Sequence, residues 1–201
     1  MENRSCCCGD DVSVRSEAAK TAEAQNPSRV LSGIVSGIQR EVIPEETWHN
    51  AKLRILDFAA SALAGYRINA DASRLVADIY LAQGGVRQST VFFRNEKLPA
   101  PNAALINAFY GHGADIDDGN RMASGHPGTC VVPAMLALAE AFGSSPEDVL
   151  LATISGYEVY VRLSSAVMPS HVQRGFHGTA TVGTVAVAAA AAVPLRRMAC
   201  R

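Results

Sequence analysis

From Gly178 to Val193 the chain is written in only four residue types, Gly, Ala, Val and Thr (GTATVGTVAVAAAAAV). Such a stretch carries no charge and must leave water, yet it has none of the Leu and Ile bulk that fills space by itself. It also falls short of the roughly twenty apolar residues needed to cross a bilayer. Small side chains let another helix approach closely, so the segment reads as the buried central helix of a bundle. The rest of the chain must supply the helices that cover it.

It does. Asn26-Pro27 has the cap and first-turn proline of a helix start, followed by Val30, Leu31, Ile34, Val35 and Ile38. Pro44-Glu45-Glu46 opens a second helix with acidic residues at its positive end. Along it Trp48, Ala51, Ile55, Phe58, Ala59, Ala62 and Leu63 recur at steps of three and four, and Gly65 marks its expected end. A third helix holds Leu75, Val76, Ile79 and Tyr80 and stops at Gly84-Gly85. Ser89 to Phe93 (STVFF) is strand-like and Arg94 to Lys97 reads as a turn, so a short strand or hairpin is expected near residues 89–98. Pro99 or Pro101 opens the next helix, and two more follow over Val131 to Phe142 and Pro146 to about Val167, the latter capped by Ser145. The predicted fold class is all-α, a helical bundle with that one strand or hairpin. Residues 1–25, polar and without apolar periodicity, read as a disordered tail.

Eighteen basic residues against nineteen acidic ones give a net charge of -1, so nothing in the charge balance argues for nucleic acid or an anionic membrane surface. Only Lys20, Lys52 and Lys97 are lysines, so cationic chemistry falls to arginine. Cys6, Cys7 and Cys8 are adjacent, and Cys130 and Cys200 stand alone. That is no disulfide framework and points to a reducing, cytoplasmic setting. The N-terminus has no apolar signal region.

Histidines and carboxylates concentrate in two loops. One runs from His112 through Asp115, Asp117, Asp118, Asn120 and Arg121 to His126-Pro127-Gly128; the other runs from His171 through Arg174 to His177-Gly178. Each precedes a small-residue helix whose N-terminal N–H groups and positive dipole end point back at the loop, an arrangement that suits an anionic substrate. Arg121 and Arg174 could pair with carboxylates. Histidine is the natural group to move a proton at a carbon beside a carboxylate, and an aspartate would fix its tautomer. Set against this, Asp117 and Asp118 could simply cap turns, His112 could form a local pair with Asp115, and His171 could be a solvated loop residue. Asp115, Asp117, His126 and His177 also have the chemistry of metal ligands, but no compact ligand motif is present. Nor is there a phosphate-binding glycine loop or a nucleophile elbow. Neither metal nor cofactor is expected.

The run AALINAFYGHGADIDDGNRMASGHPGTCVVPAMLALAEAFG resembles the N-terminal domain of the MmgE/PrpD family, as do RILDFAASALAG, GYEVYVRLSSAV and RGFHGTATVGTVAVAAAAA. The resemblance covers Asn26 to Ala192. It implies a helical domain of a metal-independent lyase, either 2-methylcitrate dehydratase-like or cis-aconitate decarboxylase-like, acting on a small di- or tricarboxylate and forming homodimers. By position, Asp115 matches the family's loop aspartate, His126 its His-Pro histidine and His177 its Gly-Phe-His histidine. These three are the implied catalytic residues; Arg121 and Arg174, from the loop chemistry, and Gly119 are the expected substrate-binding positions. Gly119 stands where relatives often carry threonine.

The resemblance also implies lysines and a tyrosine from later segments, which are not found here. After Ala192 the text VPLRRMACR departs from the family pattern. Residues 193–201 are therefore expected to be an aberrant end, with Pro194 interrupting the Ala-rich helix and a frameshift or premature stop as the cause. Two alternatives are an epimerase of an iminodisuccinate-like diacid and a catalytically inactive helical oligomerisation fragment.

Overall fold

The computed structural model describes residues 26–199, and the expected tail over residues 1–25 lies outside them. Residues up to Gly37 form one unit and those from Ile38 onward another. The first contains α1 (Pro27–Gly37), opened as expected by Asn26, whose side-chain oxygen accepts from the Ser28 N–H at 2.9 Å.

The second unit is all-α with one short hairpin. A 3₁₀ turn (Arg40–Val42) leads to α2 (Glu45–Ile68), α3 (Ala70–Gln83), β1 (Ser89–Thr90), β2 (Lys97–Leu98), α4 (Ala100–His112), α5 (Pro127–Phe142), α6 (Pro146–Val167), the single turn α7 (Ser170–Gln173) and α8 (Gly178–Ala199). The strands pair antiparallel, Ser89 opposite Leu98 and Thr90 opposite Lys97. The strand-like run is thus cut after Thr90, and Phe92 and Phe93 lie in the turn, with Phe93 at φ 61°. Ser89 donates to the Ala137 carbonyl at 2.6 Å, and Glu140 accepts from the Thr90 N–H and hydroxyl and pairs with Lys97, so the hairpin is fastened to α5.

Helix α5 lies at the centre, packed by α2, α4, α6 and α8. One core forms around Phe58, Ala62, Ala77, Val91, Leu98, Ala103, Ile106, Tyr110 and Val132. On the other side Val131, Met135, Val159, Tyr160, Val182, Ala186 and Ala190 are buried. Small residues set the spacing there: a Cβ on Gly156 would stand 2.6 Å from Val131, and one on Gly183 2.6 Å from the Cys130 sulfur. The dense glycine and alanine content of α8 therefore serves close packing, as its sequence implies.

Four expectations are corrected. Gly65 does not end α2; it lies inside the helix where α4 crosses, and a Cβ there would stand 2.0 Å from the Tyr110 carbonyl oxygen. In α3 Val76 and Tyr80 pack against the core as expected, but Leu75 and Ile79 face outward and the fully buried residues are Ser73 and Ala77, small side chains at the place where the Tyr110 hydroxyl reaches the Ser73 carbonyl. Pro194 does not interrupt α8, which continues to Ala199. The proline removes one N–H near the helix end, a local loss that one turn can absorb where the remaining ladder is intact. Finally, Gly178–Leu195 is by length and composition long and apolar enough to cross a membrane. It is the burial of 44% of that stretch within the bundle, not its length, that supports reading it as a core helix.

Candidate functional site

The first polar loop is built between the end of α4 and the start of α5. Helix α4 delivers His112 at its last turn, held close to α2 because Gly111 leaves room for the Phe58 ring. The loop then folds on itself. Asp115 and Ser124 both adopt left-handed backbone (φ 52° and 47°), and Asn120 pairs with Gly125 in an isolated antiparallel bridge. The Asn120 side chain accepts from the Ala123 N–H at 3.0 Å. Left-handed backbone is costly for a residue other than glycine unless its surroundings enforce it. At Ser124 they do, through contacts from α6 and α8 on either side: Ser164 donates to the Ala123 carbonyl, and the Thr179 hydroxyl accepts from the His126 N–H at 3.1 Å.

Asp118 fastens the loop to the bundle. Its side chain is 5% exposed. One oxygen accepts from the Gly128 N–H at 2.9 Å, the other from the Tyr157 hydroxyl at 2.9 Å, and Arg54 lies 3.9 Å away. Burial pushes the Asp118 pKa up, against the two hydrogen bonds and Arg54, which pull it down. Burial, followed by the charge of Asp118, pushes the Tyr157 hydroxyl well above the ordinary tyrosine range, so it stays a donor. A cavity of about 230 Å³, lined in part by Asn50, Arg54, Thr153 and Tyr157, lies in this region. Asp118 thus occupies the N-terminus of α5 itself, so that helix end, expected to receive a substrate carboxylate, is already filled by one of the chain's own. The sequence offered Asp118 only as a turn cap. Tyr157 and Arg54 lie within two of the segments that carry the family resemblance, but nothing in their spacing ties them to Asp118, because they sit on other helices far away in sequence.

With the loop held this way, Asp117 turns inward and Asp115 outward. The Asp117 side chain is 1% exposed and meets His112 Nδ1 at 3.0 and 3.2 Å. His126 Nδ1 lies 3.4 Å from Asp117 Oδ2, and His126 Nε2 lies 3.7 Å from Oδ1 of Asp115, which is 80% exposed. The two imidazoles meet edge to face with centroids 4.8 Å apart. Of the expected residues, then, Asp115 and His126 come together, and His112 joins them through Asp117 rather than through Asp115. Donor atoms of His112, Asp115, Asp117 and His126 all lie within 4.8 Å of one another, a set whose chemistry a divalent cation could accept. In this arrangement His112 Nδ1 is hydrogen-bonded to Asp117, while His126 Nδ1 is buried without a hydrogen-bond partner among the described residues.

His177 is exposed at the start of α8 and lines a separate depression of about 380 Å³ with Ser124, Pro169, Val172, Gln173 and Phe176. Ser124 belongs to the first loop, so the two loops adjoin there. His171 stacks on Phe176 and meets the Thr181 hydroxyl at 2.6 Å, a structural contact rather than a free loop position. Arg121 and Arg174 are exposed on the two loops. A Cβ on Gly119 would meet nothing within 4 Å, so a side chain there would stand in open space.

The sequence pattern of the MmgE/PrpD N-terminal domain matches residues 29–198, nearly the whole of the described chain and beyond Pro194. The chain belongs to the MmgE/PrpD family. Among curated relatives, a cis-aconitate decarboxylase of Aspergillus terreus is 28% identical over 180 residues, covering 85% of this chain and 36% of that protein. The cis-aconitate decarboxylase of Homo sapiens is 40% identical over 100 residues, 47% of this chain and 21% of that protein. A cis-aconitate decarboxylase-like protein of Aspergillus oryzae is 27% identical over 175 residues, 82% of this chain and 36% of that protein. The chain therefore spans about a third of the length of the fungal relatives.

Proposed function

We propose that this chain carries the histidine–aspartate part of a lyase site for a small polycarboxylate of the cis-aconitate kind. His126 is the proton-handling base, Asp115 lies beside its working nitrogen, and His177, Arg121 and Arg174 bind substrate carboxylates. The observation that carries this reading is the asymmetry of His126. Its Nδ1 is buried 3.4 Å from a buried carboxylate and its Nε2 faces an exposed one, so the ring is enclosed on one side and open on the other. A general base needs that arrangement.

The relatives' names suggest the substrate class and the chemistry explains the fit. Loss of CO2 leaves the electrons of the broken C–C bond on carbon, and a proton from a positioned imidazolium quenches them. Dehydration begins with the reverse transfer, from carbon to imidazole. Both need cations to hold the spectator carboxylates, and arginines supply two. The resemblance further implies lysines and a tyrosine, from segments this sequence does not include, for complete turnover.

Calorimetric titration of the protein with cis-aconitate tests the binding half of this reading, with acetate as the monocarboxylate comparison. Saturable binding of cis-aconitate, weakened about tenfold or more by His126→Gln or Arg174→Ala, is expected. Equal weak heats from both acids, or binding indifferent to these substitutions, would count against it.

A further inference from the structure

Asp117 sits between two imidazoles and meets both through the same ring atom. His112 presents Nδ1 at 3.0 and 3.2 Å from the two carboxylate oxygens, and His126 presents Nδ1 at 3.4 Å from Oδ2. A carboxylate in its ionised form only accepts hydrogen bonds. A neutral imidazole facing it must therefore carry its hydrogen on Nδ1 and leave Nε2 as a bare lone pair.

His126 Nδ1 is buried and forms no well-aligned hydrogen bond to any group among the described residues. An unpaired buried N–H is costly, and the nearby acceptor is Asp117, which a small rotation of the ring would align. Asp115, in contrast, stands at Nε2 and in solvent, where it can accept only when that nitrogen holds a proton. The division of labour between the two aspartates follows from these positions.

We propose that Asp117, not Asp115, is the tautomer-setting carboxylate of the site, shared by His112 and His126, and that His112 is a second positioned imidazole with its own Nε2 lone pair free. Asp117 and His112 are positioning residues. The inference rests on the reading of His126 as the base only for its catalytic meaning; the tautomers themselves do not depend on it. When His126 Nε2 takes a proton from a substrate carbon, the C–H electron pair stays on that carbon. The new imidazolium then lies against the Asp117 carboxylate, which offsets its charge. A buried, pre-oriented carboxylate does this without solvent rearrangement.

The same geometry explains why the loop carries three aspartates. Asp118 anchors the loop at the N-terminus of α5 and to Tyr157, Asp117 orients the rings, and Asp115 faces outward. With the loop pinned on the Asp118 side, Asp117 is committed to the interior.

Long-range ¹H–¹⁵N correlation spectra of the imidazoles in the ¹⁵N-labelled 201-residue protein test the proposal, at about pH 8, above the ordinary histidine range. Spectra of His112→Gln and His126→Gln assign the signals. The expected result is the Nδ1–H tautomer for both rings. Asp117→Asn keeps one accepting oxygen but puts an NH₂ donor where the other stood, so one of the two rings should convert to Nε2–H. Asp115→Asn should leave both unchanged. An Nε2–H tautomer at either ring of the unsubstituted protein overturns the proposal, as does a tautomer pair unchanged by Asp117→Asn in protein whose circular dichroism is unaltered. If Asp117→Asn fails to fold, the unsubstituted spectrum still decides. No substrate enters the measurement. Both rings in the Nδ1–H form together with no binding of cis-aconitate would therefore sink the proposed function and leave this inference standing.

Discussion

Tyr157→Phe removes one oxygen atom and nothing else from the shape of the bundle, and that oxygen is the donor to a carboxylate with 5% of its surface exposed. Asp118 keeps the Gly128 N–H at 2.9 Å and Arg54 at 3.9 Å. The Arg54 side chain is 52% exposed, so its attraction is screened and replaces little, within about 1 kcal/mol. A hydrogen bond to a charged group contributes about 1.5–3 kcal/mol, and phenylalanine leaves no large void, so the expected loss is about 2 kcal/mol. For a chain of this length that lowers Tm by roughly 4–8 °C.

The pH dependence has a definite sign. The folded pKa of Asp118 lies above its usual 3.8. Its titration therefore favours the folded state most below that value and loses this contribution as pH rises through the folded pKa. The Tyr157 hydroxyl is one of the groups holding the folded pKa down, so the substitution should cost most at neutral pH, where Asp118 is ionised, and less near pH 4. Urea unfolding followed by circular dichroism at both pH values measures the difference. A loss below about 0.5 kcal/mol at neutral pH, or one that grows on acidification, would refute the idea that Asp118 is a buried ionised anchor.

Gly65→Ala should destabilise by about 1–3 kcal/mol in the same assay, because its Cβ would overlap the Tyr110 carbonyl at 2.0 Å and backbone must move; a neutral result would mean α2 and α4 do not cross there. Gly119→Thr should change stability by less than about 1 kcal/mol, since a Cβ meets nothing within 4 Å and the backbone is not left-handed. Binding of cis-aconitate by this variant, measured by calorimetry, should equal or exceed that of the parent. Cys130 should resist alkylation near pH 8, because burial, followed by Asp117 and Asp118, pushes its pKa up to about 11. Peptide mapping that finds Cys130 modified as fast as an unfolded control would contradict this.

Most of the fold was legible because its signals are local. The Ser145 cap with Asp148 closes a capping box at α6, the Asn26-Pro27 start holds at α1, and Gly84 ends α3 with φ 69°. What the sequence obscured depends on neighbours. Gly65 looks like a helix stop until α4 is seen crossing it, and Leu75 looks like core until Tyr110 is seen over Ser73. The site divides the same way. His126 and Asp115 could be named from their loop and the family resemblance, and the structure sets them 3.7 Å apart. The pairing of His112 with Asp117 rather than Asp115, and the anchoring of Asp118 by Tyr157, depend on how the loop turns at Asp115 and Ser124. Spacing does not reveal a left-handed residue that is not glycine.

The most direct test of the central claim is where cis-aconitate binds. Chemical-shift mapping of the labelled protein during a titration with cis-aconitate gives the location. The account predicts shifts concentrated at His112, His126 and His177 and on the loops bearing Arg121 and Arg174. Shifts confined to the apolar groove between α4, α5 and α8, lined by Ala104, Ala134, Gly183 and Val187, or no shifts while the helices remain folded, would contradict it.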